Sequence, residues 1–118
     1  MKDYKDLISW QKAMLLVKEI YKLTGMLPRE ERFGLSDQLR RACVSVPSNI
    51  AEGYGRESRN EYVRFLKIAR GSLYEIETQL YLCISIGYLL KPQTASAFAL
   101  CTEISKMLTA SIRTLQFQ

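Results

Sequence analysis

Apolar residues recur with the helical period in four separate stretches of the chain. Side chains three or four residues apart fall on one face of an α-helix, so each stretch predicts an amphipathic helix. The four helices are predicted at about 9–24, 36–54, 58–86 and 92–115. The apolar face of the first consists of Trp10, Ala13/Met14, Val17 and Ile20/Tyr21. That of the fourth consists of Phe98, Cys101, Ile104, Leu108, Ile112 and Leu115.

Local signals mark where these helices begin and end. Ser9 is the predicted N-cap of the first helix. Ser58 and Glu61 have the spacing of a capping box, in which the serine hydroxyl accepts from the Glu61 amide and the Glu61 side chain reaches back. Gly87 is predicted to end the third helix, and Pro92 suits the first turn of the fourth.

Pro47 falls inside the second helix, and the apolar face keeps its phase on both sides of it. A proline within a helix removes one backbone donor and bends the helix. The pattern favours a second helix kinked at Pro47 over a break into two short helices. The apolar face of this helix consists of Leu35, Leu39, Ala42/Cys43, Val46, Ile50 and Tyr54.

The number and spacing of the helices predict the fold. The chain has 118 residues, of which 47% are hydrophobic and 25% charged, an ordinary composition for one globular domain. Short connections between long amphipathic helices favour antiparallel neighbours. We therefore expect a single all-α domain over residues 1–118, folded as an up-down antiparallel four-helix bundle.

The third helix carries more than one apolar face. Its core face is predicted to consist of Tyr62, Phe65, Leu66, Ala69, Leu73, Ile76, Leu80, Cys83 and Ile84. A second face mixes apolar and polar residues, namely Ile68, Ser72, Glu75, Gln79, Leu82 and Ile86. This mixed face is too apolar for a solvated surface, so it is predicted to meet a neighbouring helix, either within the bundle or in another subunit.

The second helix also carries a ridge of polar residues at spacings of 4, 4, 3 and 4, running from Arg41 to Arg56. One interpretation is a half-buried structural network, in which Arg41 pairs with Glu75 and the side chains of Ser45 and Asn49 satisfy the carbonyl freed by Pro47. The other is a ligand or partner site. The predicted structural network consists of Arg41, Ser45, Asn49, Glu52, Ser72 and Glu75.

The net charge is +5, from 17 basic and 12 acidic residues, and the basic residues concentrate on the second and third helices. Such a surface can contact phosphates. The predicted RNA-binding residues are Arg40, Arg56, Arg59, Arg64, Lys67 and Arg70. Tyr74 and Tyr81 lie nearby and could stack on bases. The alternative is a solvated face with local ion pairs to Glu52, Glu57 and Glu61.

The composition excludes several chemistries. The chain contains no histidine, which excludes a Ser-His-Asp or Cys-His nucleophile and a histidine-based zinc site. No carboxylate cluster has metal-ligand spacing and no phosphate-binding glycine loop is present. We expect no catalytic residues, no metal and no cofactor.

The cysteines and the apolar runs bear on compartment. Cys43, Cys83 and Cys101 are widely spaced without a C-x-x-C motif, so they are predicted to be core residues in a reducing compartment. The longest run without a charged residue, 78–90, is 13 residues, too short to span a bilayer. The mixed-charge N-terminus has no apolar segment of a signal peptide. We expect a cytoplasmic protein that does not enter the membrane.

Four motifs resemble the four-helix-bundle proteins known as the 23S ribosomal RNA intervening sequence proteins, also called the S23 ribosomal protein type. The motifs are QLRRACVSVPSNIAEG at 38–53, SWQKA at 9–13, GRES at 55–58 and IARGSLYE at 68–75. The resemblance implies a small bacterial cytoplasmic bundle assembled as a homopentamer. Genes for such proteins lie inside insertions of 23S ribosomal RNA genes in some bacteria, and the resemblance implies no established activity.

Two hypotheses on function follow. The first is a non-enzymatic, oligomeric bundle that associates with structured RNA through a basic surface. The second is a structural or adaptor oligomer whose partner is another protein, with no nucleic acid bound.

Overall fold

The computed structural model describes residues 2–117, which form four α-helices and two short 3-10 helices, with no strand. The α-helices are α1 (Ile8–Thr24), α2 (Leu35–Gly55), α3 (Arg59–Ile86) and α4 (Lys91–Gln116). The 3-10 helices are Tyr4–Asp6 and Arg29–Glu31. The predicted helices are all confirmed, and each predicted end lies within one residue of the observed one.

The signals at the helix ends are confirmed in part. The Ser58 hydroxyl accepts a hydrogen bond from the Glu61 amide at 3.3 Å, but the Glu61 carboxylate bonds Arg64 instead of reaching back. Gly87 ends α3 in the left-handed conformation, with φ of 98°, which glycine adopts without strain. The prediction of Ser9 as N-cap is wrong, because α1 already begins at Ile8.

The four helices form a closed bundle. Each helix packs against its neighbours along the chain and α1 packs against α4, while the described residues show no contact between the diagonal pairs α1–α3 and α2–α4. This pattern is that of an up-down four-helix bundle, elongated at 46 × 23 × 20 Å. α2 is one continuous helix through Pro47, so a break into two helices is excluded, and the bend at Pro47 stays a prediction.

The predicted core faces of α2, α3 and α4 are largely buried, whereas that of α1 is rotated. Ala13, Leu16, Ile20 and Leu23 are buried in α1, and Met14 and Tyr21 are left exposed. The rotation turns the α1 face towards α4 as well as α2. On the α4 side the Lys12 ammonium pairs with the Glu103 carboxylate at 2.6 Å.

Gly53 lies at a close approach of α2 to α3. A Cβ atom at Gly53 would lie 2.7 Å from the Phe65 Cβ and 3.1 Å from the Tyr62 Cδ1. Only a residue without a side chain fits there, so Gly53 sets the separation of the two helices near their connection.

At the other end of the bundle, Glu31 joins the two connections. One carboxylate oxygen accepts from the Leu35 amide at the start of α2, at 3.1 Å. The other accepts from the Tyr88 hydroxyl, in the connection between α3 and α4, at 3.0 Å. This bond to Glu31 raises the pKa of the Tyr88 phenol. One carboxylate thus ties both connections to the bundle.

Candidate nucleic-acid interface

The six predicted RNA-binding residues do not form one cluster. Arg40 lies near the start of α2, where its Nε donates to the Thr24 hydroxyl at 2.9 Å and its guanidinium stacks 4.8 Å from the Tyr21 ring centroid. Arg56 lies sixteen residues further on, roughly 24 Å at 1.5 Å per helical residue. Arg40 therefore links α2 to α1, away from the other cations.

Arg56 and Arg64 are paired with carboxylates one turn away. The Arg56 guanidinium contacts Glu52 at 2.8 Å and that of Arg64 contacts Glu61 at 2.9 Å. Both guanidinium groups also lie over the Phe65 ring. The hydrogen bond from Arg64 lowers the pKa of Glu61. For Arg56 and Arg64 the structure agrees with the alternative interpretation, a solvated face with local ion pairs.

Two contacts fix the register between α3 and α4. The Arg70 Nη1 donates to the Thr109 hydroxyl at 3.2 Å, and the Tyr81 and Phe98 ring centroids are 4.7 Å apart. Arg70 and Tyr81 are eleven residues apart in α3, and their partners Thr109 and Phe98 are eleven residues apart in α4 in the opposite direction. In this register Arg113 lies opposite the turn of α3 that holds Lys67.

Five cations therefore lie on one side of the molecule. Lys106 and Arg113 flank Thr109 at spacings of three and four, which places all three on one face of α4. Lys67 and Arg70 lie across from them on α3, and Arg59 lies eleven residues before Arg70, three turns away on the same side. We call this surface the α3–α4 basic face; it consists of Arg59, Lys67, Arg70, Lys106 and Arg113.

The α3–α4 basic face differs from the Arg56–Arg64 region in whether its cations form ion pairs with carboxylates. Among residues 2–117, no ion pair involves Lys67, Arg70, Lys106 or Arg113. The charges of these four residues are therefore not neutralised by an ion pair. Lys106 and Arg113 were not among the predicted RNA-binding residues, because they lie on another helix. Their spacing on α4 was visible, but their position beside Lys67 and Arg70 depends on the register of the two helices.

Exposed aromatic rings continue the basic face along α3. Tyr74 and Tyr81 follow Arg70 by four and eleven residues, on the same side of the helix, with 54% and 62% of their surfaces exposed. Glu77 lies between them, and burial raises the pKa of its carboxyl group. A strip of cations followed by rings is typical of surfaces that bind single-stranded nucleic acid.

The predicted polar network forms only at its centre. Ser72 donates to the Ser45 Oγ at 2.9 Å, and the Asn49 amide donates to the same Oγ at 2.9 Å. Asn49 also donates to the Ser45 carbonyl at 2.8 Å. The carbonyl that Pro47 deprives of a donor is that of Cys43, four residues earlier, so this part of the prediction is wrong.

The outer members of the network find other partners. Arg41 pairs with Asp37, one turn earlier in α2, at 3.1 Å. The predicted pair between Arg41 and Glu75 does not form. Glu52 pairs with Arg56. A carboxylate on the same helix is the easier partner, because neither side chain has to cross to another helix.

Between α2 and α3 the polar residues line an open cavity of about 210 Å³. Its lining consists of Gln38, Arg41, Ala42, Ser45, Ser72, Glu75 and Gln79. The Gln79 Nε2 donates to the Gln38 Oε1 at 3.4 Å, while the Gln79 Oε1 is buried without a hydrogen-bond partner. We call this the α2–α3 cavity. The mixed face of α3 thus meets α2 through Ser72 and Gln79.

The remaining part of the mixed face lies on the surface. Ile68, Leu82 and Ile86 are 41–55% exposed and form an apolar strip along α3. The prediction that this face meets a neighbour is therefore confirmed for Ser72 and Gln79. For these three apolar residues it stays a prediction.

The cysteines are free and buried, as predicted. Burial raises the pKa of the Cys43 thiol to about 11 and that of Cys101 to about 12, so both are protonated at neutral pH. Within residues 2–117 no group of three or more acidic or cysteine side chains is arranged to hold a metal ion. In the same range no helix is both long and apolar enough to cross a membrane.

Comparison with known proteins agrees with this architecture. The sequence pattern of the 23S rRNA-intervening sequence protein family matches residues 5–110. No curated protein matches the chain. A crystal structure of a protein of unknown function from the S23 ribosomal protein family of Bacteroides thetaiotaomicron is similar, with a TM-score of 0.83 and 29% identity. The alignment covers 89% of this chain and 98% of that one.

Proposed function

Because the chain belongs to the 23S rRNA-intervening sequence protein family, we propose that it is a non-enzymatic protein that associates with structured RNA through the α3–α4 basic face. The observation that carries this proposal is the set of Lys67, Arg70, Lys106 and Arg113 on one face, none of them in an ion pair among residues 2–117. Unneutralised cations attract phosphates, because binding releases the counterions that phosphates hold.

The cations on this face differ in how they would bind. The Arg70 guanidinium has five N–H donors, of which one is given to Thr109. That bond orients the planar guanidinium and leaves further donors for a phosphate. The Lys67 side chain is exposed and acts as a mobile point charge.

The proposal includes self-association in the cytoplasm. Ile68, Leu82 and Ile86 are exposed on one face of α3, and exposed apolar residues that share a face are typical of a protein interface. Copies of the chain joined through this strip would present several basic faces to one RNA, which raises the avidity. Light scattering at micromolar concentration tests this part, and a monomer would contradict it.

A second candidate function is a protein adaptor, which a separate groove favours. The groove lies between α1 and α2 around Pro47, has a volume of about 370 Å³ and is mainly apolar. Its lining consists of Tyr4, Trp10, Met14, Val17, Val44, Pro47, Ser48 and Ala51. An apolar groove of this kind suits an amphipathic helix of a partner protein.

The deciding experiment is a filter-binding titration with a structured RNA at several salt concentrations. The test variant carries Lys67→Gln, Arg70→Gln, Lys106→Gln and Arg113→Gln. The control variant loses the same charge elsewhere, through Lys18→Gln, Lys22→Gln, Arg29→Gln and Arg32→Gln. We expect the test variant to lose at least ten times more affinity than the control. Equal losses, or no binding by the unaltered protein, would contradict the proposal, and retention of a protein partner after nuclease treatment would favour the adaptor.

A further inference from the structure

The α2–α3 cavity holds a polar group that the fold leaves unsatisfied. Gln79 is only 8% exposed, and its Oε1 lacks a hydrogen-bond partner among the described residues. A buried acceptor without a donor is costly, and most such groups in proteins are paired. A group that donates a hydrogen bond to this oxygen would remove that cost.

Further acceptors and donors line the same cavity from opposite sides. On α3, the Glu75 carboxylate takes part in no ion pair within residues 2–117. On α2, Arg41 uses its Nε for Asp37, which leaves its terminal guanidinium nitrogens. The Gln38 amide accepts from Gln79 through its oxygen, which leaves its NH₂ group as a donor. Acceptors thus lie on the α3 side of the cavity and donors on the α2 side.

We propose that the α2–α3 cavity binds a guanine base. Guanine presents two neighbouring donors, N1–H and the N2 amino group, beside the O6 acceptor. The two donors match Glu75 and Gln79, and the O6 acceptor, with N7 behind it, matches the Arg41 guanidinium. Adenine and cytosine each place one amino donor next to an acceptor, and uracil has a single N–H between two acceptors, so each leaves an acceptor of the cavity unpaired.

The size and the mouth of the cavity fit a base with its sugar outside. A volume of about 210 Å³ holds several waters at roughly 30 Å³ each, or one planar ring system. An adjoining depression shares Gln38, Glu75 and Gln79 with the cavity and is also lined by Gly71, Tyr74, Thr78 and Leu82. A ribose and phosphate have room there, since a Cβ atom at Gly71 would meet nothing within 4 Å.

The guanine could come from a free nucleotide or from an unpaired residue of an RNA. The base-binding residues lie on the α2–α3 side, whereas the basic face lies between α3 and α4. The inference therefore does not rest on the proposed RNA association, and the two can fail separately.

The first test is calorimetric titration with GMP, AMP, CMP and UMP. We expect GMP to bind at least ten times more tightly than the other three. Glu75→Gln replaces one acceptor by a donor and is expected to weaken GMP binding at least tenfold. Gln79→Leu removes the buried acceptor and is expected to do the same. Lys18→Gln, at an exposed position of α1, serves as the control and should bind GMP as tightly as the unaltered protein does.

The unfolding midpoint separates loss of the site from loss of the fold. Gln79→Leu removes an unsatisfied buried oxygen, so its midpoint should equal or exceed that of the unaltered protein. Absence of GMP binding at millimolar nucleotide, equal binding of all four nucleotides, or unchanged binding in both cavity variants would each overturn the proposal.

The second test separates the two sources of guanine. A hairpin RNA with one unpaired guanine is compared with the same hairpin carrying adenine there. A tenfold preference for guanine that Glu75→Gln abolishes identifies RNA as a source. Selective binding of GMP without such a preference identifies the free nucleotide, and selectivity in neither assay overturns the proposal.

Discussion

The hydroxyl groups of Ser45 on α2 and Ser72 on α3 meet at 2.9 Å. The bond joins two helices, and the Ser45 Oγ accepts a second bond from Asn49. Ser72 is 5% exposed, so water does not readily replace either partner. Both residues line the α2–α3 cavity, so the bond holds its two walls together.

Removal of either hydroxyl is expected to destabilise the protein. We expect Ser45→Ala and Ser72→Ala each to lower the free energy of unfolding by about 1 kcal/mol. The double variant should lose less than the sum, with a coupling energy of about 0.5–1.5 kcal/mol. Urea unfolding measures all three. Ser48→Ala, at an exposed position of α2, is the control, and strict additivity of the pair would contradict the direct bond.

Two glycines in helices are expected to respond in opposite ways to alanine. At Gly53 the new Cβ would lie 2.7 Å from the Phe65 Cβ, and such overpacking costs about 1–3 kcal/mol of unfolding free energy. At Gly71 nothing lies within 4 Å, so Gly71→Ala should stabilise by about 0.5–1 kcal/mol through helix propensity. Thermal unfolding of the two variants checks this. Stabilisation by Gly53→Ala would show that α2 and α3 are further apart.

The contact between Tyr88 and Glu31 predicts a local effect on dynamics. Tyr88→Phe removes the donor at 3.0 Å from the Glu31 carboxylate and keeps the ring. We expect faster amide hydrogen exchange in both connections at this end of the bundle, including the one that does not contain the substitution. Tyr74→Phe, at an exposed ring, is the control. Faster exchange only around residue 88 would contradict the coupling.

The basic face predicts a specific salt dependence of RNA binding. Loss of the four charges of Lys67, Arg70, Lys106 and Arg113 should flatten the slope of log affinity against log salt by about 3, at roughly 0.7–0.9 per phosphate contact. Arg56→Gln with Arg64→Gln should change the slope little, because Glu52 and Glu61 neutralise these residues. A larger change in this second variant would place the contacts at the connection between α2 and α3.

The buried thiols predict a loss of stability at high pH. In the unfolded chain a thiol ionises near pH 8.5, while burial raises the pKa of Cys101 to about 12 in the folded protein. The folded state keeps its proton and the unfolded state loses it, so the stability from this difference is present below pH 8.5 and is lost as the pH rises towards the folded value. In Cys101→Ala the free energy of unfolding should fall less steeply with rising pH than in the unaltered protein, by up to about 1.4 kcal/mol per pH unit. Urea unfolding at pH 8, 9 and 10 measures it, and parallel curves would contradict burial of the thiol.

The helices and their order could be predicted from the sequence, since helical period and capping are local. The rotation of the α1 face could not. Met14 and Tyr21 fit the period as well as Leu16 and Leu23 do, and only the position of α4 decides which of them are buried. The same holds for Lys106 and Arg113, whose place beside Lys67 depends on a register that no local pattern contains.

Only part of the polar network could be predicted, because some of its side-chain partners depend on how α2 packs against α3. Ser45, Asn49 and Ser72 have the types and spacing of a network and form one. Two carboxylates were candidates to pair with Arg41: Asp37 on its own helix and Glu75 across the α2–α3 cavity. The partner in the structure is Asp37. The unsatisfied Gln79 oxygen could not be predicted from the sequence, because its burial results from the packing of α2 against α3.

The double role of Glu31 has a consequence for how this chain can change over evolution. One side chain fixes the loop before α2 and the loop before α4 at once. An insertion in either loop would displace the carboxylate from the other, so we expect the lengths of these two loops to covary among homologues.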